Sequence, residues 1–205
     1  MRKFALLFAL LILLPVVLCG CGGDDSSKKD QLKAGETMCH AFSSRELLLY
    51  AEYRDVNGKL ELRETDDRIY SYFEIFGNPT KGKNCWPAIS LFSNTAPALI
   101  STKDFLQYKG LRIDVKNENN APCTFNLIIF DKNYVRYKDY SIELEAYSEW
   151  KIFEVEFRFG DISAENEIYK DFDGENVLLV EFWVDNPLVK NSPHKLSLDN
   201  LRFYA

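Results

Sequence analysis

An indole and a carboxylate alternate with apolar residues near the C-terminal end of the chain. If every second residue of the run Val177 to Val184 faces a hydrophobic core, then Glu181 and Trp183 face the opposite side. An outward indole can stack on the apolar face of a pyranose ring, and a planar polar neighbour can hydrogen-bond the sugar hydroxyl groups. This pattern predicts a small-molecule or sugar-binding surface.

Two further strands contribute polar residues by the same alternation. Arg112 and Asp114 alternate with Leu111, Ile113 and Val115, and Asn126 lies between apolar residues of the next run. The ligand-binding set predicted from the sequence is therefore Trp183, Glu181, Arg112, Asp114 and Asn126. The pattern leaves open whether these strands share one sheet, and whether Trp183 instead packs under a loop, as aromatic residues usually serve burial.

Residues that could carry acid–base or metal catalysis are few. The only two histidines, His40 and His194, have no third ligand at zinc-site spacing, and neither belongs to a nucleophile motif such as G-x-S-x-G. The glutamates from Glu143 to Glu156 alternate with apolar residues, as on a solvated sheet face. We therefore predict that the protein is not an enzyme. An enzymatic alternative would need one histidine in a cleft with a carboxylate.

The N-terminus has the pattern of an export signal. Arg2 and Lys3 precede an uncharged apolar run from Phe4 to Leu18, which is shorter than the roughly 20 residues of a membrane-spanning helix. Leu18-Cys19-Gly20-Cys21 resembles a lipobox, in which the cysteine receives lipid. We predict a helical signal peptide over residues 1–20 and lipidation of Cys21. Cys19 is the rival acceptor, but no small residue precedes it at the cleavage point.

A small, polar stretch follows the predicted lipidation site. Residues 21–34 show no apolar periodicity and are predicted to form a disordered, flexible tether, which leaves residues 35–205 as one domain. Without residues 1–20 the chain has 23 Lys+Arg against 31 Asp+Glu, a net charge of −8, which argues against nucleic acid as a partner. The predicted location is the bacterial cell envelope, on the outer membrane through the lipid anchor, at its periplasmic face or at the cell surface.

Three cysteines remain within the predicted domain. Cys39, Cys85 and Cys123 would meet an oxidising compartment after export, where a disulfide can form. Three cysteines allow three single pairings, and the sequence does not choose among them.

Short apolar runs separated by turn residues dominate the chain after Met38. The run Ile69 to Phe76 is rich in β-branched and aromatic residues, and Asn57-Gly58 and Asp131-Lys132-Asn133 are typical of turns. One short helix is predicted over 44–49. Nine or ten strands at this spacing predict an all-β, antiparallel jelly-roll β-sandwich.

The order of five segments resembles the galactose-binding-domain-like jelly rolls of carbohydrate-binding modules. The segments are His40–Leu47, Trp86–Leu91, Tyr108–Val115, Ser148–Phe153 and Leu196–Phe203. Together they span nearly all of the predicted domain. The resemblance implies a β-sandwich whose first and last strands pair, which would bring His40 near His194. It also implies binding of an oligo- or polysaccharide.

Many members of that family hold a structural calcium ion between the first and last strands. Asp199 lies at the matching carboxylate position, so the resemblance implies that Asp199 is a calcium ligand. The family's first-strand glutamate is replaced here by Ser43, which removes one charged ligand.

Two functions therefore remain as hypotheses. The first is a lipid-anchored, non-catalytic protein that binds carbohydrate through one face of its sandwich. The alternative is a structural or protein-interaction subunit of an envelope assembly, because jelly rolls host many functions.

Overall fold

A computed structural model describes most of the predicted domain. The predicted signal peptide, Cys21 and the tether up to residue 31 lie outside the described residues, as do the predicted helix at 44–49, Cys85 and Trp86. The residues that the structure describes are 32–43, 52–54, 56–77, 88–96, 98–137, 140–159, 171–185 and 194–205.

Eleven strands are present in the described part of the chain. In chain order they are β1 (Glu36–His40), β2 (Glu52–Arg54), β3 (Val56–Glu64), β4 (Ile69–Gly77), β5 (Ala88–Phe92), β6 (Gly110–Asn117), β7 (Cys123–Asp131), β8 (Tyr140–Leu144), β9 (Lys151–Glu156), β10 (Val177–Asp185) and β11 (His194–Tyr204).

The strands form two antiparallel sheets. One has six strands in the order β3-β4-β11-β6-β9, with β1 pairing the C-terminal half of β11; the other has five in the order β2-β5-β10-β7-β8. Apolar side chains from the inner faces of both sheets form a shared core. The predicted all-β jelly-roll sandwich is confirmed. Within the described ranges, no helix is long and apolar enough to cross a membrane.

Two local predictions differ from the structure. Asn57-Gly58, predicted as a turn, lies inside β3 and is paired with Phe76 and Ile75 of β4, because the long hairpin partner overrides the local turn preference. The apolar run after the Asp131-Lys132-Asn133 turn predicts a strand from Tyr134 to Leu144, but β8 begins only at Tyr140. The carboxylate of Asp131 instead accepts hydrogen bonds from the backbone amides of Asn133 (2.8 Å) and Val135 (2.9 Å), which closes a turn before β8.

Phe42 connects the two sheets at the centre of the core. Its fully buried ring makes edge contacts with Phe73 of β4 at 6.4 Å and with Phe182 of β10 at 6.3 Å. The Phe182 ring in turn stacks on Phe125 of β7 at 5.9 Å. Because aromatic rings bury large apolar areas, these contacts tie residues of both sheets to one interior.

The two cysteines in the described ranges are free thiols. Cys39 of β1 and Cys123 of β7 are both buried in the core. Burial raises the pKa of Cys39 above its usual value and raises that of Cys123 to about 12. Neither residue therefore takes part in the disulfide considered from the sequence.

His40 holds the backbone of Phe42 in an unusual conformation. Phe42 has φ 54°, and its amide donates a hydrogen bond to His40 Nδ1 at 3.1 Å. The two rings also meet edge to face at 4.5 Å. Burial lowers the pKa of His40 to about 4, so the acceptor nitrogen stays unprotonated at neutral pH.

Protonation of His40 should couple stability to pH. Because the pKa is about 4 in the folded chain and about 6.5 when unfolded, the unfolded chain takes up the proton first as pH falls. The free energy of unfolding therefore has its full value above about pH 6.5, where His40 is neutral in both states, and falls progressively as the pH is lowered toward 4. Lowering the pH from 7 to 5 should therefore reduce the free energy of unfolding by about 2 kcal/mol through His40.

In His40→Asn, a non-titrating amide oxygen can replace Nδ1 as the acceptor. Urea unfolding at both pH values should show a smaller loss of stability in this variant than in the wild type. An equal loss in both proteins would contradict the assignment.

Gly110 lets three strands approach closely. It begins β6 and is aligned with Glu156 of β9 and Tyr204 of β11. A methyl group at this position would overlap the carbonyl oxygen of Val155 and the ring of Tyr204.

Gly110→Ala should therefore lower the free energy of unfolding by about 2–3 kcal/mol, because backbone must move to admit the methyl group. Gly174→Ala is the matched control: its methyl group meets only the flexible side chain of Leu106 and the edge of Phe159. Chemical denaturation of both variants measures the difference. Wild-type stability in Gly110→Ala would show that the strands can separate without cost.

Candidate functional site

The sides of β10 match the alternation expected from the sequence. Val180, Phe182 and Val184 point into the core, so Glu181 and Trp183 lie on the outer side of the five-stranded sheet. We call this outer side, with the residues of β5, β7 and β8 that share it, the Trp183 face. Trp183 itself is half-buried and is not part of the core.

Two neighbours of different character flank Trp183. Ala88 of β5 is aligned with it on one side and Asn126 of β7 on the other, and Asn126 is aligned in turn with Ser141 of β8. Directly opposed residues of antiparallel strands have Cβ atoms about 5 Å apart. The indole therefore has the amide of Asn126 next to it on one side, with the Ser141 hydroxyl one strand further away, and the methyl group of Ala88 next to it on the other.

A carboxylate forms the next row of the Trp183 face. Glu181 is aligned with Ser90 of β5 and Ile128 of β7. The Ser90 hydroxyl donates a hydrogen bond to Glu181 Oε2 at 3.1 Å, and all three side chains are buried. Glu181 and Trp183 are two residues apart on one strand, so their Cα atoms lie about 7 Å apart. The carboxylate thus lies one row from the indole and is largely shielded from solvent.

The two ends of the Trp183 face differ. At one end the Thr124 hydroxyl donates to Glu143 Oε1 at 2.7 Å. At the other end Phe130 pairs with Leu179, and the ring of Tyr134, 64 % exposed, lies 6.4 Å from that of Phe130. The alternation along the strands singled out Asn126, Glu181 and Trp183 but not Ser90. Only the strand pairing brings Ser90 to the same face.

Arg112 and Asp114 do not belong to the Trp183 face. Both lie on β6, which is part of the six-stranded sheet, and they point away from the core on that side of the sandwich. The five residues predicted as one ligand-binding set are thus divided between opposite surfaces. The alternation along β6 was predicted correctly, but the choice of sheet depends on pairing with β11 and β9, which no local pattern encodes.

On the six-stranded sheet, seven charged side chains alternate in sign. We call them the charge ladder; in order they are Glu154, Arg112, Glu36, Arg202, Asp114, Arg68 and Asp199.

The best-formed contacts of the charge ladder involve Arg112 and Arg202. Arg112 contacts Glu154 at 2.7 Å and Glu36 at 2.9 Å, while Arg202 contacts Asp114 at 2.9 Å and Glu36 at 3.3 Å. The Arg112 guanidinium also lies over the ring of Tyr204 at 4.3 Å. Arg112 and Asp114 are therefore engaged inside the protein rather than presented to a ligand.

Three side chains at the Glu154 end of the charge ladder have pKa values shifted in favour of their charged forms. Hydrogen bonds from Arg112 hold the pKa of Glu154 below its usual value. Burial by itself would raise the pKa of Glu36, but hydrogen bonds from the Lys33 amide, Arg112 and Arg202 lower it overall. The pKa of Arg112 is raised by its hydrogen bonds to Glu154 and Glu36. Pairing of opposite charges contributes to all three shifts.

Asp199, expected as a calcium ligand, lies at the inner end of the charge ladder. It is fully buried, and its Oδ2 atom lies 3.4 Å from Arg68 Nη1. Calcium requires several oxygen ligands, and no group of three or more acidic, histidine or cysteine side chains that could hold a metal ion occurs in the described ranges. A guanidinium against the only expected carboxylate is a poor fit for a cation site.

The two histidines are not brought together. His40 of β1 is aligned with Leu201 of β11, whereas His194 begins that strand, seven residues earlier, opposite Ile75. At about 3.4 Å per residue, this places them roughly 24 Å apart along the strand. The first and last strands do pair, as expected. The expected proximity of the histidines is wrong, because β1 pairs with the C-terminal half of β11 whereas His194 lies at its N-terminal end.

Comparison with known proteins bears on the fold. No family model matches the chain, and no curated protein matches it. A family 11 carbohydrate-binding module from Clostridium thermocellum, solved in complex with a β-1,3-1,4-mixed-linked tetrasaccharide, superposes with a TM-score of 0.55 at 16% identity, covering 85% of this chain and 98% of the module. A solution structure of a family 11 module gives a TM-score of 0.57 with the same coverage.

Enzymes occur among the similar structures as well. An agarase superposes with a TM-score of 0.58 at 14% identity, but this chain covers only 24% of the agarase chain. At such identities the likeness concerns the fold. The described part of this chain therefore has the β-sandwich jelly-roll fold that carbohydrate-binding modules have.

Proposed function

We propose that this protein is a lipid-anchored, non-catalytic carbohydrate-binding protein of the bacterial envelope that holds a glycan on the Trp183 face. The observation that carries the proposal is the position of Trp183: half-buried, outside the core, and in the middle of a sheet. An aromatic ring that is held by neighbouring strands and keeps part of its surface accessible is suited to stacking on a pyranose.

The polar neighbours of Trp183 support an oriented sugar ligand. Asn126 supplies an amide that can donate and accept hydrogen bonds, and Ser141 is exposed beside it. The carboxylate of Glu181 lies in the next row and is largely buried. A few fixed polar groups around an apolar contact are the usual composition of small-ligand sites. The Ser90 hydrogen bond holds the Glu181 carboxylate in position before a ligand arrives.

Known ligands of similar structures suggest where to look first. The family 11 module was solved with a β-1,3-1,4-mixed-linked tetrasaccharide, and the agarases are named for a different polysaccharide. Oligosaccharides of mixed-linked β-glucan and of agarose are therefore the first candidates for this chain. Both are uncharged, which agrees with the acidic groups Glu181 and Glu143 on the Trp183 face.

The binding role is favoured over hydrolysis by the state of the acidic residues. Glycoside hydrolysis requires a carboxyl group with a raised pKa opposite a second carboxylate. Glu154 is instead paired with Arg112, which lowers its pKa, and Glu156 contacts Arg158 at 3.1 Å on the solvent side. Glu181, on the Trp183 face, accepts a hydrogen bond from Ser90.

The proposed anchor rests on the sequence before the domain. A basic start, a short apolar run and Leu18-Cys19-Gly20-Cys21 together favour export and acylation of Cys21. The polar residues 22–34 would separate the domain from the lipid surface. A protein of this kind would retain glycan near the cell.

Replacement of Trp183 tests the binding site directly. Trp183→Ala should weaken binding by about 30-fold or more, because loss of a central aromatic anchor typically costs about 2 kcal/mol or more. Trp183→Phe keeps a flat ring and should retain part of the affinity. Glycan-array screening of the wild type, followed by calorimetry with the glycans that bind, measures these differences.

Tyr147→Ala serves as the control, because Tyr147 is exposed but lies in the turn after β8, outside the rows of paired residues that contain Trp183 and Glu181. Full affinity in Trp183→Ala would remove Trp183 from the site. Absence of binding to any glycan would favour the alternative, a protein-interaction subunit of an envelope assembly.

The lipid anchor has a matched pair of cysteines for its test. Cys21→Ala should abolish incorporation of an alkyne fatty acid and release the domain from the membrane fraction. Cys19→Ala should leave both unchanged, since Cys19 lies before the predicted cleavage point. Lipid labelling that depends on Cys19 instead would contradict the predicted signal peptide.

A further inference from the structure

We propose that the guanidinium groups of Arg68 and Arg202 occupy the place of a structural calcium ion, so that this fold does not require the metal. The resemblance to carbohydrate-binding modules implies a calcium ion between the first and last strands, with Asp199 as a ligand. Within the charge ladder, arginine side chains rather than a metal ion compensate the buried negative charge.

Oxygen atoms of the kind that calcium binds are present near Asp199, but arginine side chains contact them. Arg202 Nη1 donates to Asp114 Oδ1 at 2.9 Å and to the main-chain carbonyl of Asn200 at 2.7 Å. Arg68 Nη1 lies 3.4 Å from Asp199 Oδ2 and 3.8 Å from Asp114 Oδ2. Arg202 thus donates hydrogen bonds to Asp114 and to the Asn200 carbonyl, and Arg68 forms an ion pair with Asp199, so that arginine charge lies against the oxygens that calcium would bind.

A bulge in the last strand creates this arrangement. The pairing of β11 with β6 shifts register between Asp199 and Arg202, and Asn200 has φ 48°. Asparagine tolerates this left-handed conformation better than most residues. Because of the bulge, the carbonyl of Asn200 can accept a hydrogen bond from the guanidinium of Arg202, two residues further along the chain.

Arg68 is held in place from several sides. It lies in the turn between β3 and β4, where its carbonyl accepts the Thr65 amide at 2.9 Å. Its guanidinium lies over the Trp150 ring at 4.3 Å, and Tyr70 packs against the same indole edge to face at 5.1 Å. Stacking on an indole leaves the edge of the guanidinium free to face carboxylates. No pattern in the sequence connects Trp150 with Asp199.

The charges explain why an ion would be superfluous. Asp199 is fully buried, and a buried carboxylate without compensation is costly. Two guanidinium groups together carry the charge of one calcium ion and balance Asp114 and Asp199. A divalent cation added here would meet two positive groups at contact distance, which disfavours its binding.

Thermal unfolding of the purified full chain in EDTA and in excess calcium chloride is the first test. The wild type should melt at the same temperature in both solutions. A higher melting temperature in calcium would overturn the proposal, because it would show that the folded wild-type chain binds the ion.

Arg68→Met tests the replacement itself, since it keeps an apolar contact with Trp150 but removes the charge. Its melting temperature should fall by about 10 °C, as expected for a broken buried ion pair. Calcium should restore part of this loss, because Asp199 then loses the guanidinium of Arg68, while Asp114 keeps its contact with Arg202. Absence of any calcium response in this variant would overturn the proposal that the guanidinium stands in for the ion.

Two further variants separate this role from general packing. Asp199→Asn combined with Arg68→Met should lose much less stability than the sum of the single changes, because each removes the need for the other. Arg63→Met is the matched control: Arg63 lies over Tyr72 and contacts Glu61 at 3.2 Å on the same hairpin, outside the charge ladder. Additive losses in the double variant, or a calcium response in Arg63→Met, would contradict the proposal.

Discussion

Burial of the inner faces of two sheets against each other is the interaction on which the rest of this structure depends. Phe42, Phe73, Phe125 and Phe182 meet where the sheets face one another, and the remaining core residues surround them. Because side chains alternate along a strand, a residue committed to this core sends its neighbours to the opposite side. The core therefore determines which polar residues are available for function.

The two outer surfaces use the residues they receive in different ways. On the five-stranded sheet, Trp183, Asn126 and Glu181 lie side by side with the potential for contact with a ligand. On the six-stranded sheet, Arg202 bonds to Asp114 and Arg112 bonds to Glu154. The same alternation thus produces a candidate binding surface on one side and an internally paired, stabilising surface on the other.

The charge ladder illustrates one of the ways in which a fold can stabilise a buried carboxylate. Taking Asp199 out of water has a large cost that must be offset by an opposite charge. A metal ion offsets it with an external component, whereas an arginine offsets it with part of the same chain. The second solution ties the turn before β4 to the last strand, and so couples the two through Arg68 and Asp199.

Local sequence patterns were sufficient for much of the fold. The alternation in β6, β7 and β10 predicted which side chains enter the core, and the Asp131 turn was predicted from residue types, because both depend on the chain within a few residues. Asn57-Gly58 was mispredicted because pairing with β4 outweighs a weak turn preference.

By itself, therefore, the sequence determined the all-β sandwich, the outward position of Trp183, Glu181 and Asn126, and the net acidity of the chain. Tertiary structure alone decided that Arg112 and Asp114 belong to the other sheet, that Ser90 contacts Glu181, and that Arg68 reaches Asp199. These relations join residues far apart in sequence, such as Ser90 with Glu181 and Arg68 with Asp199. Strand order and register determine these contacts, and neither can be predicted from residues that are close together in the chain.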